Sequence, residues 1–560
     1  METGGTVPPP ERNPDMEHES IPSLDQDTDL IVVGLGPVGL LTTILAAQKG
    51  HRVVAIERWP TPYALPRAVT FDHEIARILN AVGIDAENDP TIDYYDKLYY
   101  LYNGEMEPLN VIDWASKASD GWRNRYWFDQ PGLEKRLRVL ASSLPNVTML
   151  EGYEVTGLDQ DADSVSVTFQ PTDFRGEGTR IADNATTYSV QGKLLVGSDG
   201  ANSFVRRSLG LTMTDLEFNY DWVVVDLIEH EEHDYDPPYY QVCKPERPLT
   251  VVPGGPGRRR WEFMVLPGES AEEFEKPERI WELLEEFDVR PDNAELIRHK
   301  VWRFQARHLD DWRLGRVAIA GDAAHLMPPF AGEGMCAGLR DVMSLSWRLD
   351  LILSGRSDVD LLDSYGAERG PHARWFIDFS VGLGEVICVS DPEEAKQRDE
   401  TLKAALAEQL KTGPVQPYDA KLGPGVWDEN SPGGGFPTWQ GAVVHNGVVG
   451  RFDQVVTRGW ALLTKHDAGQ VSPEARGLVE RMGGIAVTVG PPGSGAGVLD
   501  VDGVYERWFA ELEVEHILTR PDFHTAATAR RGEDIDALVR GIAEKVLSQD
   551  HLSRSSLAYT

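Results

Sequence analysis

Apolar residues recur along this chain with two periods, and the switches between them mark out its elements. Leu30–Val33 is a continuous apolar run, as in a buried strand. Pro37–Lys49 follows with helical spacing, and Arg52–Ile56 is a second strand ending on Glu57, so Asp29 to Arg58 is a predicted βαβ unit. Ile75–Ala81 and Leu133–Leu140 read as short helices, and Val155–Leu158, Ser164–Phe169 and Thr187–Ser198 as strands. From about Leu211 to Pro267 the pattern is strand-rich, with Trp222–Leu227, Tyr239–Cys243, Leu249–Val252 and Trp261–Leu266. The turn Pro253-Gly254-Gly255-Pro256-Gly257 divides the last two. An antiparallel sheet inserted at about 211–300 is expected. Val317–Ala320 is a further buried strand, running through Gly321-Asp322 and a Gly/Pro-rich loop into a helix at Met335–Leu353.

The pattern changes again in the last third. Leu361–Thr412 looks helical, and the Gly- and Pro-rich stretch 413–441 reads as a linker. Beyond it, 442–560 forms a separate α/β unit with strands at Trp460–Leu463, Gly484–Val489 and His516–Thr519, and helices at Val504–Leu512 and Ile535–Ser548. At the other end, residues 1–28 are acidic, carry Pro8, Pro9 and Pro10, and are expected to form a disordered arm.

Composition restricts the function classes. A net charge of −36 removes the basic face that nucleic acid requires, and it opposes binding to an anionic membrane. Cys243, Cys336 and Cys388 are too few and too scattered for a disulfide framework or a cysteine-based zinc site, so no metal is expected and a reducing cytoplasm fits. No apolar run is long enough to span a bilayer, and the first residues lack the basic and apolar regions of a signal peptide.

Three glycine-bearing turns carry the candidate chemistry. Gly34-Leu35-Gly36-Pro37-Val38-Gly39 follows a strand and opens a helix. In such a turn Gly34 permits the bend, Gly36 lets backbone approach a pyrophosphate, and Gly39 allows close helix packing, while Glu57 can accept ribose hydroxyls. This dinucleotide fingerprint does not separate FAD from NAD. Gly197-Ser198-Asp199-Gly200 ends another apolar strand; there Asp199 is either a ligand contact or a turn cap. Gly321-Asp322 and the loop to Gly334 complete the set.

In this order the three runs resemble the FAD fingerprint, DG motif and GD motif of the single-component (group A) FAD-dependent aromatic hydroxylases. The resemblance covers roughly Asp29 to Arg374. Ala64-Leu65-Pro66-Arg67-Ala68, Glu262-Phe263-Met264-Val265-Leu266-Pro267-Gly268-Glu269 and Gly338-Leu339-Arg340-Asp341 are most similar to the branch holding 3-(3-hydroxyphenyl)propanoate hydroxylase, with phenol and resorcinol hydroxylases nearby. It implies an α/β fold in which a Rossmann-like FAD-binding domain (29–412) is interleaved with the substrate sheet, and a thioredoxin-like C-terminal domain that here has no cysteine for dithiol chemistry. It also implies hydroxylation of a phenolic ring with NADH or NADPH and O2, through a flavin hydroperoxide. A larger aromatic natural product is the alternative substrate, and a homodimer is left open.

The resemblance implies residue roles as well. Gly34, Gly36, Gly39 and Glu57 would hold the ADP half of FAD, Arg67 the pyrophosphate, Gln130 the length of the cofactor, and Asp322 the ribityl chain. The amides of Gly334 and Met335 would face the pyrimidine edge of the flavin, with Gly332 and Pro329 shaping the loop. Asp72 would orient or deprotonate the substrate hydroxyl, or else cap the helix that follows it; His73 is the alternative base. Apart from the resemblance, the strand aromatics Tyr239, Tyr240 and Trp261 are candidates either for the pocket wall or for plain core, and Trp302 is a further substrate candidate. His325 is expected to be a packed strand-end residue rather than a catalytic one.

Overall fold

Short apolar strands that lie side by side in parallel bring the three glycine turns to one edge of a sheet. In a computed structural model describing residues 28–62, 67–175, 178–230, 235–414 and 420–553, the parallel strands are Val317–Ile319, Tyr188–Gly197, Thr28–Val33, Val53–Glu57 and Val147–Glu151, in that spatial order. Val33 is level with Gly197 and with Ile56, and Gly197 is level with Ile319. The residues that follow (Gly34, Ser198, Ala320) and Glu57 therefore form one row at the carboxyl edge. In open α/β sheets that edge is where ligands bind. Thr28–Val33, Val53–Glu57 and Val317–Ile319 are buried on both faces, which is why they read as apolar runs.

A mixed, mainly antiparallel sheet of eight strands stands against this unit. Its members run in the order His325–Leu326, Ala294–His308, Thr214–Glu229, Arg258–Met264, Leu249–Pro253, Tyr240–Cys243, Leu98–Asn103 and Pro108–Asp113. The sheet thus draws on more of the chain than the expected insertion at about 211–300. Leu98–Asn103 pairs in parallel with Tyr240–Cys243, closing an edge that would otherwise expose unpaired backbone. The His325–Leu326 strand ties the sheet to the Gly321-Asp322 turn.

The helical stretch expected at Leu361–Thr412 is two helices, Asp363–Ile387 and Pro392–Gln409. Pro392 cannot continue the first helix, and Asp391 caps the second by accepting from the Glu393 and Glu394 amides. The last unit is a seven-stranded mixed sheet with Ala461–Lys465 near its centre. Its core joins that of the first unit: Trp347 and Leu351, from the helix Gly334–Leu353, pack among Trp460, Leu462 and Leu518.

The stretch read as a linker departs from a free tether. Among its described residues, Asp428, Gly435 and Thr438 donate backbone N–H groups to Ala526, Thr525 and Phe523. Its glycines supply turns, with φ of 72° at Gly433 and 78° at Gly435. The acidic arm lies outside the described residues up to 27, and Thr28 already belongs to the first strand. Residues 63–66, within the Ala64–Ala68 match, also lie outside them.

Candidate functional site

Each fingerprint glycine has its own reason to be there. A Cβ on Gly34 (φ +96°) would lie 2.5 Å from the Ser198 carbonyl oxygen, and one on Gly39 would lie 1.8 Å from that of Gly34. A Cβ on Gly36 would meet nothing within 4 Å. Two glycines therefore pack the turn, and the middle one fronts open space, as close approach of a pyrophosphate requires. That space is a trough made of two cavities of about 200 and 300 Å³, which share Gly36, Pro37, Arg67, Gln130, Ser198 and Gly200.

Several predicted cofactor residues border the trough while their polar atoms are already occupied. Glu57 accepts from the amides of Leu35 (2.7 Å) and Trp59 (3.0 Å), so it orients the fingerprint loop as well as lining the smaller cavity. Gln130 opens the helix Gln130–Ser142. Its Oε1 accepts from the Arg67 and Ala68 amides and its Nε2 donates to Glu134, so it positions Arg67. Asp199 accepts from Ser203, the N-cap of the short helix Phe204–Ser208, and from the Phe204 and Val205 amides, so the two side chains cap that turn together. Of the two readings open for Asp199, its bonds match the cap.

The larger cavity is bordered by Asp322, Pro329, Gly332, Gly334 and Met335. Gly334 begins a twenty-residue helix, whose first amides have no intrahelical acceptor and carry the positive end of the helix dipole. The Gly321 turn is fixed from behind by Asp341, which accepts from the Gly321 amide (3.0 Å), His325 Nε2 (2.8 Å) and Arg369 Nε (2.9 Å). His325 is buried and stacks on Trp312, so it is a packed residue as expected. Burial pushes the Asp322 carboxyl above its ordinary range, against the opposing charges of His325 and Arg67.

The far wall of this cavity corrects the expected one. Arg260 and Glu262 border it from the strand Arg258–Met264, directly opposite Val252 and Thr250 on the neighbouring strand, with Tyr239 beside them. Strand alternation turns Trp261 and Phe263 to the other face, where they pack with Ile280 and Leu284; Tyr240 packs against that same cluster. Trp302 is 39 % exposed beneath Arg298 and borders neither cavity. Of the three candidate aromatics Tyr239 borders the cavity, Tyr240 and Trp261 take the alternative place in the core of the opposite face, and Glu262 holds a wall position the strand pattern did not assign. The available signal was an acid flanked by Trp261 and Phe263, where an outward-facing position is not needed for solubility.

Arg260 is committed elsewhere: its Nε and Nη2 grip Asp226 at 2.7 and 3.1 Å, and its Nη1 donates to the Arg67 carbonyl at 2.6 Å. Glu262 Oε1 stands 3.7 Å from Arg260 Nη1. Burial outweighs that attraction, and the Glu262 carboxyl is pushed up to about 7.

Asp72 and His73 lie in a separate cavity of about 70 Å³, behind the loop that carries Phe330, Ala331 and Glu333. Asp72 caps the helix His73–Ala81 through the Ile75 amide and pairs with Arg340. Burial alone would raise its pKa, but Arg340, His73 and Arg125 hold it well below the carboxylate range. A carboxylate so stabilised is a weak base, and among its two expected roles the cap is the one its geometry fits. His73 is bound to Asp120 at 3.0 Å.

The residues present fit FAD: an open pyrophosphate approach at Gly36, an aspartate exposed to the trough midway, and helix amides at the far end. Replacing Asp322 with alanine is expected to weaken FAD binding about ten- to a hundred-fold, the worth of one or two hydrogen bonds to a charged group. Flavin fluorescence titration of the apoprotein reads this, and unchanged affinity would take Asp322 out of the cofactor site.

Comparison with known proteins agrees. The FAD binding domain family matches residues 27–380, and the HcaD C-terminal domain family matches 437–545. A probable NADH-specific resorcinol 4-hydroxylase from Rhodococcus jostii is 33% identical over 92% of this chain and 95% of its own length. A 3-(3-hydroxy-phenyl)propionate/3-hydroxycinnamic acid hydroxylase from Comamonas testosteroni is 32% identical over 71% of this chain, which spans 64% of that protein. Among solved structures, aklavinone-11 hydroxylase with FAD and aklavinone superposes with a TM-score of 0.72 at 22% identity, over 93% of this chain and 99% of that one, and so shares the fold. The chain belongs to the FAD binding domain family, within its single-component FAD-dependent aromatic hydroxylases.

Proposed function

We propose that this chain uses NADH and O2 to hydroxylate a small, uncharged phenol of the resorcinol kind. One observation carries the reading: the flavin-edge helix faces a wall of Thr250, Val252, Arg260 and Glu262 across the same cavity, and the one carboxylate among these four is Glu262. The flavin ring and the substrate would share that space. The wall opposes a carboxylate substrate, since Glu262 borders the cavity and Arg260 is engaged by Asp226. The relative from Rhodococcus jostii, named as NADH-specific and acting on resorcinol, supports both the reductant and the substrate class.

Bound FAD supplies electron transfer from NADH and oxygen activation. The chain supplies the rest. The amides at the start of the helix Gly334–Leu353 favour negative charge on the ring edge beside them. Pro329 and the Gly332 turn fix that loop. We also infer that 442–560 is a thioredoxin-like unit with a packing role. The spatial order Ile485–Gly490, Ala461–Lys465, His516–Thr519, Thr525–Ala529, with one parallel and two antiparallel pairings, supports this.

The test is NADH oxidation with product analysis for resorcinol, 3-(3-hydroxyphenyl)propionate and aklavinone. Resorcinol is expected to raise the rate and yield a trihydroxybenzene. Equal or better turnover of the propionate would overturn the uncharged-substrate reading, and turnover of aklavinone would favour a larger natural product.

A further inference from the structure

The reaction proposed above needs a phenol made electron-rich, and the main cavity offers a specific group for that purpose. Among the described residues bordering it, the carboxylates are Asp322 and Glu262. Asp322 belongs to the turn beside the cofactor, whereas Glu262 lies on the opposite wall, across from Thr250. Glu262 is 7% exposed and accepts no hydrogen bond from the described side chains, so its oxygens remain available to a ligand in the cavity.

Resting on that functional reading, we propose that Glu262 is a catalytic residue that accepts the proton of the substrate hydroxyl. The step is a plain proton transfer: the substrate O–H bond breaks, its electron pair stays on the phenolic oxygen, and the proton moves to a Glu262 carboxylate oxygen. No redox partner is involved. The phenolate then pushes charge into the ring carbons ortho and para to it, where an electrophilic oxygen is received.

The surroundings suit a proton acceptor that works near neutrality. Facing or near Glu262 are Arg260 on its own strand, Asp226 on the adjacent strand and Tyr239 at the cavity wall, while Arg67 borders the same cavity. Arg260 is neutralised by Asp226, so it does not hold Glu262 in the acid-insensitive, fully stabilised form that Arg340 imposes on Asp72. With its carboxyl pushed up to about 7 by burial, Glu262 is protonated and inert at lower pH and becomes an acceptor as pH rises through that value. A base matched to the working pH is the effective one.

The experiment uses the FAD-loaded protein with resorcinol as probe. Without NADH, the ultraviolet difference spectrum reports whether bound resorcinol is phenol or phenolate; with NADH, product formation is followed. In the wild type the phenolate signal is expected to rise through a pH near 7. Glu262→Gln is expected to keep its FAD, lose that step and form product about a hundred-fold more slowly, in the range of a missing general base. Glu262→Asp, which keeps a carboxylate there, is expected to retain the step with slower product formation. A Gln variant with the wild-type phenolate step and a product rate within about threefold of wild type overturns the proposal. If the Gln variant loses FAD, the Asp variant decides: absence of the step with FAD still bound overturns it. Wild-type protein that neither binds nor hydroxylates resorcinol would instead refute the substrate reading above.

Discussion

Replacing Gly39 with alanine is expected to abolish FAD retention and to destabilise the fold. The added Cβ would sit 1.8 Å from the Gly34 carbonyl oxygen and 2.7 Å from Ser198 Oγ. The closer atom is backbone of the tight turn, so the helix Pro37–Gln48 must move off the sheet rather than a side chain swing away. Overpacking of this sort costs about 1–3 kcal/mol or more, and it displaces the turn that fronts the trough. Gly36→Ala makes the informative contrast. Its backbone is ordinary (φ −70°, ψ −174°) and its Cβ would meet nothing. That variant should melt like the wild-type apoprotein yet bind FAD at least about tenfold more weakly, because the methyl occupies the pyrophosphate approach. Flavin absorbance per protein and apoprotein melting separate the two effects. A Gly36→Ala protein with full FAD affinity would show that the pyrophosphate does not lie there.

Arg520→Ala is expected to be as damaging, far from the cofactor. Arg520 spans Glu368 (2.9 and 2.7 Å) and Asp522 (2.9 Å to Oδ1), Arg348 also donates to Glu368 (2.6 Å), and Trp347 donates to Asp522 (3.0 Å). These ionic side chains are 0–2% exposed, so removing the guanidinium leaves Glu368 and Asp522 short of a buried cation that water cannot replace. Breaking such a buried network costs about 3–5 kcal/mol. Burial would raise the Asp522 carboxyl, but Arg520 and His524 hold it well below the usual range. Its contribution is therefore present above the ordinary aspartate pKa and disappears only as pH falls well under it. Because Trp347 and Arg348 lie on the flavin-edge helix, FAD release and unfolding of the last unit should share one thermal transition. Separate transitions would show that the C-terminal unit does not brace the cofactor site.

How far the site was legible in the sequence follows from what each residue's neighbours had to supply. The Gly34–Gly39, Ser198–Gly200 and Gly321–Asp322 turns stand out because each combines an apolar strand with a glycine that the backbone itself demands. Gly321, for example, has φ +64° and packs its α-carbon against Val38. The substrate wall is different. Arg258–Met264 is buried on both faces, at every position from Arg259 onward, so its period-two pattern has no polar side to mark which residues look into the cavity. For that reason the pattern admits Tyr239, Tyr240 and Trp261 alike as wall or core, although of the three Tyr239 borders the cavity. The strand Ala294–His308 is hard to read because Arg298, Lys300, Arg303 and Arg307 interrupt its apolar pattern, and the partners of Arg303 and Arg307, Asp221 and Asp215, lie on another strand. Asp72 carried two compatible readings, and only Arg340, hundreds of residues later, separates them.

Hydroxylation here requires FAD, a small phenol and O2 to meet in one cavity, and isotopic oxygen reads that meeting directly. The FAD-loaded protein, given resorcinol, NADH and oxygen-18-labelled O2, is predicted to release a hydroxylated product carrying a single labelled oxygen atom per molecule. Unlabelled product, or NADH consumption that yields hydrogen peroxide without hydroxylated resorcinol, would contradict it.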